Sequence, residues 1–150
     1  MKIVKIIVLV LLVVFVGIQF VPTVHNQSER TPKADFMLVN DVPKDVKNKL
    51  QISCYDCHSN NTQYPWYSKI QPGAWFMENH IKNGKEELNF NEWDTYSNRR
   101  KKSKLKSIIN QIKDDEMPLS SYTLIHRDAK LSENEKKEMI QFMKQLRDSL

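Results

Sequence analysis

The sequence predicts an all-α chain: an N-terminal membrane-anchor helix over residues 1–21, a linker over 22–41 and one small helical domain over 42–150. Three observations predict it. An unbroken apolar run follows two lysines at the N-terminus. Beyond residue 41, apolar residues recur every three or four positions, the period of a helix that buries one face. The 150 residues hold only three glycines and six prolines, too few turn-formers for an all-β sandwich or barrel. A chain of this length makes one domain and an appendage. Two cysteines cannot build a disulfide framework. A net charge of +5 with no groove-reading motif gives no case for nucleic acid.

The apolar run begins at Ile6, behind Lys2 and Lys5, and continues through Gly17 and Gln19 to Val21. At about 1.5 Å per residue it covers roughly 24 Å, between a signal-peptide core and a spanning helix. No small-residue cleavage site follows in Pro22-Thr23-Val24-His25-Asn26, and no cysteine follows closely. The expectation is an uncleaved signal anchor, a single pass through the bacterial cytoplasmic membrane. Lys2 and Lys5 would stay inside and the remainder would lie in the periplasm or its equivalent.

Residues 22–41 are polar, carry Pro22 and Pro32 and lack periodicity, which reads as a linker. Phe36 to Val39 are its apolar exception, a short arm able to pack back. The first domain helix is expected near Asp41, with Pro43 in its first turn. Val42, Val46, Leu50 and Cys54 form one row along it. Ser59-Asn60-Asn61-Thr62 marks a loop. A second helix is expected from Pro72 to a terminating Gly84. Asn91 to Asp94 resembles a weak capping start for a third, with Trp93 inward. Leu105, Ile108, Ile109 and Ile112 place an amphipathic helix behind a basic cluster, Arg99, Arg100, Lys101, Lys102, Lys104 and Lys106. That cluster is a solvated face or a docking face for an acidic redox partner or an anionic membrane surface. Ser132 to Glu135 is a capping box, and Met139, Phe142, Met143, Leu146 and Leu150 stripe the last helix.

Cys54-Tyr55-Asp56-Cys57-His58 is a C-x-x-C-H, the attachment pattern for haem c. Two thiols three positions apart can each join one vinyl group of the same porphyrin, and the next residue supplies an imidazole to the iron. His58 is the expected proximal ligand, its other ring nitrogen fixed by a backbone acceptor. A thioredoxin-like dithiol would want a βαβ context, and a structural zinc site would want a second ligand pair. Neither is found in the sequence.

For the sixth iron position Met117 leads. It sits on a loop beside Pro118 among acids, a poor place for core filler, whereas Met139 and Met143 lie on a helix stripe. His80, facing Phe76 one helical turn away, is the main competitor. His126 is third and could instead bind a haem propionate. The aromatic run Tyr64, Pro65, Trp66 and Tyr67, with Trp75 and Phe76, is the expected pocket wall.

Three segments, CYDCHSNNTQYPWY, PGAWFMENHIKNGKEELNFNEW and EMPLSSYTLIHRDAKLS, resemble the bacterial haem-binding domain family. These are small membrane-anchored proteins with a single c-type haem site. The resemblance covers roughly Asp41 to Leu146. It implies a cytochrome c-like helical domain around one covalent haem on Cys54, Cys57 and His58, with Met117 as distal ligand. The family pattern carries Met-Pro-Pro where this chain has Met117-Pro118-Leu119, one rigid residue fewer. The function expected is one-electron transfer by a carrier rather than a catalyst. The alternatives are a peroxidase-like enzyme or gas or redox sensor with a displaceable distal ligand, and a haem-free thiol oxidoreductase.

Overall fold

The computed structural model describes residues 1–28 and 30–150. Among them every regular element is helical and no strand occurs. The core is built by three helices, a short arm and the segment from Leu88 to Tyr96. Helix α3 (Lys44–Ser53) and helix α6 (Asn98–Lys113) both pack against the last helix, α8 (Glu133–Ser149). Each buries the stripe its periodicity marks: Val46 and Leu50; Leu105, Ile109 and Ile112; Met139 and Met143. Fixed starts aid this packing. Ser97 caps α6, and Ser132 and Glu135 exchange hydrogen bonds at the start of α8, satisfying donors that a helix leaves unpaired.

The N-terminal helix α1 spans Lys2–Ile18, 17 residues, with none buried. At about 1.5 Å per residue it is roughly 26 Å long, short of a hydrocarbon layer of about 30 Å. No helix among the described residues is long and apolar enough to cross a membrane. The single-pass anchor is therefore corrected, and with it the membrane and periplasmic placement drawn from it. The physical reason is Gln19. Its Nε2 donates to the Gln71 carbonyl at 3.1 Å and its Oε1 accepts the Gln71 N–H at 2.9 Å. The apolar run thus stops being helix at Ile18 and turns onto the domain.

Residues 22–41 also differ from a free linker. Asn26 is hydrogen-bonded to Ser59, Thr62, Tyr64 and Lys85. Helix α2 (Phe36–Val39) is capped by Asp35, whose carboxylate accepts the Met37 N–H at 2.8 Å. Phe36 is fully buried, edge-on to Trp93 at 4.9 Å and Phe90 at 5.3 Å. The buried core thus takes in Phe36, which precedes residue 42. Asp35, 2 % exposed, keeps its charge satisfied with hydrogen bonds from Asn91 at 2.6 Å and Tyr55 at 3.1 Å.

Two further expectations shift. The capping start at Asn91 is a 3₁₀ turn, Phe90–Thr95, and the following helix waits for Ser97. Trp93 does point inward, 1 % exposed. Helix α5 spans Gly73–Glu87, so Gly84 lies inside it and does not end it. No glycine among the described residues has a positive φ. Gly84 has another purpose, set by its neighbour.

Candidate functional site

Cys54 ends α3 and opens a one-turn helix, α4 (Tyr55–His58). Its φ of −131° breaks the first helix, and its carbonyl then accepts the His58 N–H at 2.9 Å. The residue row that buries Val46 and Leu50 thus delivers Cys54, and the turn delivers Cys57 and His58. Both thiols are half-buried. Burial, with Cys57 nearby, pushes the Cys54 thiol up to about 12. Burial, with Asp56 nearby, pushes Cys57 up to about 11. Redox dithiols show the opposite, a depressed thiol that attacks as thiolate.

Helix α5 supplies the other half. The His58 Nδ1 lies 2.8 Å from the Gly84 carbonyl and 3.0 Å from the Leu88 carbonyl. Carbonyls only accept, so Nδ1 carries the proton and Nε2 keeps its lone pair. The Gly84 carbonyl already accepts the Leu88 N–H at 2.9 Å, and its second lone pair is left for this donor. Burial lowers the His58 pKa from its ordinary value against the pull of both carbonyls, and so favours neutral imidazole. The approach depends on Gly84. A Cβ there would lie 2.8 Å from the Cys57 carbonyl oxygen and 3.4 Å from the Cys57 Cβ.

Two clefts flank this turn. One, of about 230 Å³, is lined by Cys54, His58, Leu88, Phe90, Ile108 and Met117 among others. The second, of about 240 Å³, is lined by Cys57, Pro65, Tyr67, Phe76, His80 and His126 among others. Met117 therefore shares a cleft with His58, while both competing histidines share the cleft of Cys57. Met117 is placed by the end of α6. There Asp115 takes a left-handed φ of 58°, and the Glu116 and Met117 N–H groups both donate to the Gln111 carbonyl, at 2.9 and 3.1 Å.

His80 and His126 each have a local partner. The His80 Nδ1 lies 2.8 Å from the Phe76 carbonyl, and its ring packs on Phe76 at 4.2 Å. The His126 Nε2 meets the Tyr67 hydroxyl at 2.7 Å, and its ring stacks on Tyr122 at 4.3 Å.

The expected aromatic wall divides. Pro65, Tyr67 and Phe76 line the second cleft. Tyr64 turns to the N-terminal arm and stacks on His25 at 4.3 Å. Trp66 is 75 % exposed and Trp75 38 %, and neither lines the two clefts.

The basic cluster also divides. Lys101 is buried against Asp94 at 2.8 Å, Arg100 lies over the Tyr96 ring, and Lys104 lines the cleft of His58. Arg99, Lys102 and Lys106 remain exposed.

Sequence reasoning missed Gly84 as a contact residue, the Leu88 carbonyl, Phe90 and Tyr122. The segment Leu88-Asn89-Phe90 carries a signal of its own, an apolar pair just past a helix end. No group of three or more His, Cys, Asp or Glu among the described residues is placed to hold a metal ion. The haem-binding domain family matches residues 13–145. No curated protein and no solved structure matches the chain.

Proposed function

The chain belongs to the haem-binding domain family and takes haem as its cofactor, and we propose that it holds one haem c for one-electron transfer. Cys54 and Cys57 would hold the porphyrin through thioethers, and His58 Nε2 and Met117 would be the iron ligands. The observation that carries this is the committed Nδ1 of His58. Bound to two carbonyls, it leaves Nε2 as a free donor one residue after the second thiol. The residues fit the group: two thiols on one turn, a neutral imidazole beside them, and a thioether in the same apolar cleft.

When bound, haem supplies a one-electron iron couple. The chain's residues do the rest. Leu88, Phe90, Ile108 and Ile112 exclude water beside His58. A thioether at Met117 favours the ferrous state and raises the potential. Met117, in one cleft with His58, would occupy the position that a small ligand needs, and this favours the carrier reading over the peroxidase-like or sensor readings. Arg99, Lys102 and Lys106, exposed together on one face of α6, offer a face to an acidic redox partner.

Mass spectrometry of the Cys54–His58 peptide tests the attachment, and haem mass on both cysteines is expected. Spectra of the haem-loaded protein test the ligands. The near-infrared sulfur–iron band should vanish in Met117→Ala and persist in His80→Ala. A band unchanged by Met117→Ala removes Met117 from the iron.

A further inference from the structure

The segment that follows Met117 is tied back to the attachment turn by one side chain inside it, Asp56. The Tyr122 hydroxyl donates to the Asp56 Oδ2 at 2.8 Å and also lies 3.2 Å from the Ile52 carbonyl. The other oxygen, Oδ1, accepts the Gln63 N–H at 3.0 Å, and the Asp56 carbonyl accepts the Thr62 hydroxyl at 2.6 Å. One residue between the two cysteines thus joins three segments: the turn, the wall that leads to Tyr67, and the short helix α7 (Ser120–Thr123).

Tyr122 is well held for this task. Its ring stacks on His126 at 4.3 Å with planes 15° apart, and His126 is in turn held by Tyr67. Its N–H donates to the Leu119 carbonyl, two residues beyond Met117. Met117 is therefore anchored on both sides. Upstream, the Gln111 carbonyl binds its own N–H. Downstream, only four residues of chain separate it from Tyr122 and its contact with Asp56.

We infer that Asp56 and Tyr122 are positioning residues that clamp the Met117 loop against the attachment turn and so keep the thioether in the sixth iron position. The inference rests on Met117 being that ligand. A hydrogen bond to a carboxylate is stronger than one between neutral groups. Its loss acts on the equilibrium between loop-closed and loop-open states, so an added ligand that needs the open state gains by the same factor.

The test uses the full chain loaded with haem, imidazole as the competing ligand, and the sulfur–iron band as the readout. The wild-type protein should show the band and release it only at high imidazole. In Tyr122→Phe, which keeps the stack and loses the hydroxyl, the imidazole needed should fall about tenfold or more. The reduction potential should fall with it. Asp56→Asn keeps an acceptor without the charge and should lie between the two. Wild-type imidazole affinity in both variants overturns the clamp, even if their melting temperatures drop. A wild-type protein without the band overturns methionine ligation, and the clamp with it.

Discussion

The carbonyl oxygen of Cys57 lies 2.8 Å from where a Cβ on Gly84 would stand. Two backbones meet here with no room for a methyl group, and the meeting is what lets His58 reach the end of α5. Glycine inside a helix normally weakens it, by roughly 1 kcal/mol relative to alanine. At this position contact outweighs propensity.

Gly84→Ala should accordingly destabilise the protein, by about 1–3 kcal/mol as overpacking does, instead of stabilising it. Denaturant midpoints of variant and wild type give the sign directly. A midpoint raised by the substitution would mean that α5 and the turn separate freely. Haem spectra of the same variant should report a displaced His58.

Phe36→Ala should cost about 3–5 kcal/mol, the usual loss for a buried aromatic. A residue on a free linker would lose less than about 0.5 kcal/mol. Equilibrium unfolding separates these outcomes. The same measurement on a chain beginning at residue 42 should show a stability loss at least as large.

Acid should weaken the start of α8. The Ser132 side chain and N–H, then Lys49, hold Glu135 down at about 2 from an ordinary value of 4.5. A depressed carboxylate contributes stability that is complete above its unfolded value and is lost as pH falls through its folded one. The loss should therefore run from about 4.5 down to about 2. Unfolding midpoints followed across that window should fall more steeply in the wild type than in Glu135→Gln. Ser132→Ala should cost about 1 kcal/mol at neutral pH.

Much of this architecture is legible in the sequence where one physical rule acts alone. The capping box at Ser132 and the stripe through Met139 and Met143 are local, and they fold as the pattern says. C-x-x-C-H is read from spacing for the same reason. Where two segments distant in sequence decide the outcome, the pattern misleads. Gly84 has the look of a helix end, yet its reason is Cys57, 27 residues earlier by number. The run to Val21 looks continuous, yet Gln71 draws Gln19 away from it. The polar stretch before Asp41 looks loose, yet it hides Phe36 and a charge on Asp35. Met117 is a loop methionine in sequence; only the fold puts it in one cleft with His58 and leaves His80 in another.

Phe36 also touches Phe142, ring centre to ring centre at 6.3 Å. These two residues stand 106 positions apart, so their contact closes a long loop. Loops of such length close slowly, after local helices have formed. The Cys54–His58 turn, closed by the local bond from the His58 N–H to the Cys54 carbonyl, therefore forms before Phe36 reaches the core. Closure of Phe36 onto Trp93 and Phe142 comes afterwards, so the core is locked by one of its most distant contacts.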